Sequence, residues 1–179
     1  MSPRDPHLAA ARIIRDAGGE LVGRTRLQKV AYLAQLAGFG HEFDFEYRHY
    51  GPFSEDLALG MDIAALLGTV KEDERQAEWG GRYSIYRLRK PAPPANPDRA
   101  TFIRQAKGIG AIELELAATA AFLFAVEKIG NGRPGNPWQE TRMRKPEKAR
   151  DGRLERAATA YAKLRRIQSP LKLPDLPPP

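Results

Sequence analysis

The feature that most constrains the fold is the segment "LAATAAFLFAV", residues 116 to 126, an almost unbroken apolar run of 11 residues. A helix that is apolar on nearly every side must be covered by neighbouring elements on most faces. The run is also well short of the roughly 20 residues needed to cross a bilayer. It therefore predicts a central buried helix in a mostly helical protein, and no membrane partner.

Periodicity, capping residues and glycines predict the other elements. Helices are predicted near 5–17, 25–37, 54–68, 111–130, 137–145 and 152–167, and strands at 43–50, 69–73 and 82–89. Thr25, Ser54 and Asn136 are the predicted caps of three of these helices. The order helix, helix, strand, helix, hairpin is winged-helix-like, although its first strand falls between the second and third helices.

Proline-rich segments divide the chain. Residues 1–90 form the winged-helix-like module with its small β-hairpin, and the connector 91–98 holds four prolines. Residues 99–167 are predicted to be a helical subdomain packed on the first, beginning with a weakly amphipathic turn or two. The tail 168–179 has five prolines in its last 11 residues and is expected to be extended or disordered. The fold class is therefore mostly α, with an α+β N-terminal half.

Composition excludes several classes of function. The chain of 179 residues has no cysteine, which excludes disulfides, thiolate zinc sites and a cysteine nucleophile. Its N-terminus carries acids and prolines in place of a signal peptide's apolar core, so we expect a mature protein of the reducing cytosol.

Positive charge is concentrated late in the chain. The net charge is +7, and residues 131–167 hold 11 arginines and lysines against 4 acids, a surplus of 7 that leaves the remainder neutral. A localised basic surface is typical of proteins with an anionic partner, although a solvated face is the commoner explanation of a charge run.

The stretch "EYRHYGPFSEDL", residues 46 to 57, joins the predicted aromatic strand to the third helix. We interpret Gly51 and Pro52 as a sharp corner, with Tyr50 and Phe53 on either side and Ser54 as the helix cap. Two uses remain open at this stage. The aromatic rings either close the core under the helix or anchor a partner.

Several segments together resemble the YwgA-type family of uncharacterised bacterial proteins. They are Leu27-Gln28-Lys29 with Tyr32, the corner from Tyr50 to Ser54, the helix from Leu114 to Thr119, and Lys145-Pro146. The resemblance covers about residues 10 to 166 in order. It implies no particular function.

The Leu-Gln-Lys helix and the Tyr-Gly-Pro corner are also similar, more distantly, to the SocA-like Panacea domain, an antitoxin module. This sequence departs from that domain in the Phe-Ser that follows Gly-Pro and in its long basic C-terminal region. The likeness implies a protein partner, namely a toxin. The predicted partner-binding residues are Gln28, Lys29, Tyr32, Tyr50, Gly51, Pro52, Phe53 and Ser54.

Nucleic-acid binding is the alternative. The predicted third helix has Glu55, Asp56 and Asp62 and no arginine or lysine from 54 to 68, so it would repel a phosphate backbone. The basic C-terminal helices are the better candidate. The alternative site is Arg142, Arg144, Lys145, Lys148, Arg153 and Arg156.

No catalytic or metal-binding constellation is predicted. His41 and His49 are eight residues apart on a strand, which is weak evidence for a shared metal. Ser54 lacks both a nucleophile elbow and a histidine at a motif distance. The glycine runs lack the context of a phosphate-binding loop, so no cofactor is expected. The sequence thus predicts a non-enzymatic interaction protein.

Overall fold

A computed structural model describes residues 5–179 and contains eight helices and five strands over that range. The helices are α1 (Pro6–Asp16), α2 (Arg24–Leu36), α3 (Glu55–Leu66), α4 (Pro97–Lys107), α5 (Ala111–Ala125), α6 (Pro137–Arg144), α7 (Pro146–Ala149) and α8 (Arg153–Arg165). The strands are β1 (Glu20–Val22), β2 (Glu46–Arg48), β3 (Gly51–Phe53), β4 (Val70–Gln76) and β5 (Arg82–Leu88). The predicted mixed, mostly helical class is confirmed.

The predicted buried helix is α5, and it joins the two halves of the chain. It packs against α2 and β3 of the N-terminal half and against α6 and α8 of the C-terminal half. From Leu114 to Leu123 every α5 side chain is buried. One hydrophobic core therefore runs through both halves.

The N-terminal half is a closer match to a winged helix than its sequence predicts. Strand β1 lies between α1 and α2 and pairs with β5 in an antiparallel sheet of order β1-β5-β4. Strand β1 was not predicted, because it is only three residues long and its partner β5 lies more than 60 residues away. Helix α2 begins at Arg24 after Gly23, so Thr25 is not its cap.

The predicted strand at 43–50 is mostly wrong, since only Glu46–Arg48 is a strand. The Gln35 side chain donates to the Phe43 carbonyl at 2.7 Å and accepts from its amide at 3.1 Å. A side chain thus satisfies the Phe43 backbone groups that a strand would have paired.

The prediction of a corner at Gly51-Pro52 also needs correction. Gly51–Phe53 is itself strand β3, paired antiparallel with β2 so that Arg48 lies opposite Gly51. The chain therefore reverses at His49 and Tyr50, two residues earlier than expected. Ser54 is confirmed as the cap of α3, its hydroxyl accepting from the Leu57 amide at 3.3 Å.

The second half contains two further corrections. Helix α4 has 11 residues, more than the turn or two predicted, because Asn96 caps it and Phe102 and Ile103 are buried in the core. The tail is extended but not disordered. The Leu171 amide donates to the Ala37 carbonyl at 2.9 Å, Tyr161 donates to the Pro174 carbonyl at 2.7 Å, and Leu173 is buried.

Among residues 5–179, no single helix has the length and apolarity to cross a membrane; α4 and α5 pass only as a pair, with a 119° bend between them.

Candidate functional site

The Leu-Gln-Lys helix and the corner, defined as residues Tyr50 to Ser54, are bonded directly to each other. The Gln28 amide donates to the Ser54 carbonyl at 3.0 Å, and its oxygen accepts from the Ser54 amide at 2.8 Å. The Lys29 ammonium donates to the Pro52 carbonyl at 2.8 Å. These polar side chains of α2 therefore hold the backbone of the corner in place.

Six of the eight predicted partner-binding residues are buried. They are Gln28, Lys29, Tyr32, Gly51, Pro52 and Ser54. Tyr32 packs edge-on against Phe45 with ring centroids 5.2 Å apart. Gly51 has φ +88°, and a Cβ at this position would collide with Thr119. These six residues form or support the corner from inside the protein, whereas Tyr50 is exposed and Phe53 is half-buried.

Tyr50 is 56% exposed and is held from the C-terminal half of the chain. The Lys148 ammonium lies 4.6 Å from the centroid of its ring, a cation–π contact. The neighbouring His49 carbonyl accepts from Lys145 at 2.8 Å. An aromatic ring fixed at an exposed turn is typical of an interface anchor because little entropy remains to be lost on binding.

Glu115 organises these two lysines in what we call the clasp, comprising Glu115, Lys145 and Lys148. The carboxylate accepts from Lys145 at 2.8 Å and from Lys148 at 2.8 and 2.9 Å. The side chains of Glu115 and Lys145 are each only 5% exposed. The clasp thus connects α5, the junction of α6 and α7, and α7 to the β2–β3 hairpin, whose turn carries Tyr50.

Lys29 is 1% exposed, and Pro52 provides its hydrogen-bond acceptor. Burial lowers the pKa of Lys29 from 10.5 to about 7; the negative charge of Glu115 opposes this shift, and the positive charges of Lys145 and Lys148 add to it. Because the clasp lysines occupy the Glu115 carboxylate, Lys29 has no close counter-ion of its own among the described residues.

This pKa predicts how stability depends on pH. Above pH 7 folded Lys29 is neutral, whereas unfolded Lys29 remains protonated up to 10.5, so unfolding takes up a proton. The free energy of unfolding should therefore rise with pH in this window, by up to about 1.4 kcal/mol per pH unit. Urea unfolding of Lys29→Met should lack this rise, and exposed Lys163→Met should keep it. An equal rise in Lys29→Met would contradict the burial argument.

A cavity of about 260 Å³, the corner pocket, opens beside Tyr50 between α2, α3 and β5. Its lining is mostly apolar, with a few polar groups of both charges. The lining residues are Arg24, Thr25, Leu27, Gln28, Lys29, Tyr50, Phe53, Ala58, Met61, Asp62 and Tyr86. Arg24 is bonded to Glu72 at 2.6 Å and its charge also acts on Asp62, but among the described residues Asp62 forms no ion pair of its own.

Helix α3 presents an exposed row that we call the α3 stripe, namely Glu55, Leu59, Asp62 and Leu66. Spacings of four, three and four residues place these side chains on one face of the helix. Leu59 is 56% exposed and Leu66 is 86% exposed. The opposite face, with Leu57, Met61 and Ala64, is buried.

The structure does not bring the six predicted nucleic-acid-binding residues together as one free basic surface. Lys145 and Lys148 belong to the clasp. Arg144 pairs with Glu127 and Glu140 at 2.9 and 2.8 Å, contacts that raise the pKa of its guanidinium. Arg142 pairs with Glu155 at 3.0 Å and Arg156 with Glu113 at 3.3 Å, while Arg153 is half-buried at the start of α8.

Within residues 5–179 no three histidine, aspartate or glutamate side chains are grouped so that they could hold a metal ion. Of the histidines considered above, His49 contributes its backbone carbonyl to the clasp lysine, and both His41 and His49 are exposed.

No family model matches the chain. Over 127 residues it is 27% identical to the Uncharacterized protein YwgA of Bacillus subtilis (strain 168), an alignment that covers 68% of this chain and 76% of that protein. The chain is a distant homologue of YwgA. The predicted resemblance is thereby confirmed. The more distant likeness to the Panacea domain stays a prediction.

Sequence reasoning missed Glu115 and the α3 stripe. Glu115 had a usable signal, since it is an acid inside the apolar helix and therefore required a buried partner. Leu59 and Leu66 also had one, because they lie on the acidic face of α3 rather than on its core face.

Proposed function

We propose that this chain is a non-enzymatic interaction protein that binds a protein partner through Tyr50 and the corner pocket. The observation that carries the proposal is the placement of Tyr50. It is an exposed aromatic side chain held by Lys148 at the mouth of a mostly apolar cavity. Interface hot spots are enriched in such tyrosines beside pockets.

Charge favours a protein partner over nucleic acid. Helix α3 occupies the position of a recognition helix, yet its exposed face is acidic and apolar. Most of the late basic residues have carboxylate partners, which reduces the charge available to phosphates. If the likeness to the Panacea domain extends to function, the partner is a toxin.

Site-specific photo-crosslinking tests the proposal. A benzophenone amino acid at position 50, activated in cells, should give a discrete protein adduct. The same group at Leu171 is the matched control, because that residue is 63% exposed and lies away from the corner. Leu171 is bonded to Ala37, after the C-terminal end of α2, whereas the corner is bonded to Lys29 in the first half of α2.

The outcomes separate the two functions. An adduct of the same protein from both positions, or none from position 50, would count against the proposal. A salt-sensitive complex with duplex DNA or RNA, lost when Arg142, Arg144 and Arg156 are neutralised, would favour the nucleic-acid alternative instead.

A further inference from the structure

The α3 stripe is an acidic and apolar surface on a basic protein. The chain carries a net charge of +7, yet α3 has Glu55, Asp56 and Asp62 and no basic residue. Among the described residues, Arg48 pairs with Glu55, whereas no lysine or arginine forms an ion pair with Asp56 or Asp62. The local charge is thus opposite in sign to that of the whole molecule.

The stripe is also continuous with the corner pocket. Asp62 belongs to both, and Ala58 and Met61 of the same helix line the cavity. The volume of about 260 Å³ suits a single large apolar side chain and falls below the roughly 300–1,000 Å³ of typical small-molecule sites. An apolar cavity beside an unpaired carboxylate fits an apolar side chain next to a lysine or arginine.

The length of the stripe fits a helical partner. From Glu55 to Leu66 the helix rises about 16 Å, or three turns. Leu59 and Leu66 are exposed at helical spacing, and one amphipathic helix can cover such a row with its own apolar side chains.

We propose that the α3 stripe and the corner pocket together bind a basic amphipathic helix of the protein partner. Its apolar anchor enters the corner pocket, and its lysines or arginines pair with Asp62 of the stripe and with Asp56 on the neighbouring face of α3. This inference rests on the proposed function and names the chemistry of the partner segment.

Two synthetic peptides test it. Both are labelled helices of about four turns with leucines at spacings of four, three and four; one has lysine at the flanking positions and the other has glutamate. Fluorescence anisotropy at low salt should give the lysine peptide roughly tenfold tighter binding. Attraction by the net charge of +7 alone would favour the glutamate peptide. Binding at the α3 stripe and attraction by net charge therefore predict opposite rankings of the two peptide affinities.

Charge reversal locates the binding. Asp62→Lys should weaken the lysine peptide by about tenfold, whereas Asp98→Lys, the same change at an exposed site on α4, should leave it unaltered. Equal or tighter binding of the glutamate peptide, or no effect of Asp62→Lys, would overturn the inference. If that happens while position 50 still crosslinks one specific protein, the proposed function stands and only the basic helix is excluded.

Discussion

Replacing Glu115 with alanine is expected to lower the free energy of unfolding by about 3 to 5 kcal/mol, because it removes one partner of a buried ion pair. Lys145 is 5% exposed and would lose its carboxylate acceptor, while Lys148 would lose both of its bonds to that carboxylate. The His49 carbonyl would remain as the acceptor for Lys145. Urea unfolding followed by circular dichroism measures the loss.

The matched control is Glu155→Ala, which removes an exposed carboxylate paired with Arg142 and should cost less than about 1 kcal/mol. Glu115→Leu combined with Lys145→Met should be less destabilising than Glu115→Ala, because the nearly fully buried Lys145 charge is removed together with its carboxylate, and the clasp lysine that still loses its partner, Lys148, is 34% exposed. If Glu115→Ala cost no more than Glu155→Ala, the clasp would contribute no more than a surface pair.

Gln28→Ala is expected to lower the free energy of unfolding by about 1 to 3 kcal/mol, because it leaves the buried Ser54 amide without a partner, while the Ser54 carbonyl keeps its bond from the Ala58 amide at 3.2 Å. Gln35→Ala on the same helix is a close control. Gln35 also bonds both backbone groups of one residue, Phe43, but in a part-buried setting that water can reach. Gln35→Ala should therefore be the milder change in urea unfolding, and equal losses would show that burial of the Ser54 backbone does not matter.

Elements determined by local chemistry could be predicted from the sequence. The apolar run of α5 required burial on most faces, and α5 is covered by α2 and β3 of the N-terminal half and by α6 and α8 of the C-terminal half. Asn136 caps α6 as predicted, accepting from the Trp138 amide at 2.8 Å. Ser54 caps α3 for the same reason, since a short polar side chain at a helix start satisfies a free amide.

Features that depend on distant partners could not be predicted in the same way. Strand β1 exists only because β5 returns beside it, and its three residues have no pattern long enough to recognise. Lys145 and Lys148 looked like part of a basic surface because their partner Glu115 lies 30 and 33 residues earlier. The polar residues of the Leu-Gln-Lys motif, such as Gln28, bond to the backbone of the corner and do not face solvent.

The proposed role of Tyr50 as the anchor of a protein partner can be tested by the affinity of the partner that is identified by crosslinking. Calorimetric titration of the purified pair should show that Tyr50→Ala weakens binding by at least about thirtyfold, the loss of a hot-spot residue worth about 2 kcal/mol or more. Trp79→Ala removes an aromatic side chain that is 79% exposed at the tip of the β4–β5 hairpin, and it should leave the affinity unchanged. Unchanged affinity for Tyr50→Ala, or an equal loss for Trp79→Ala, would show that Tyr50 is not the anchor of the partner.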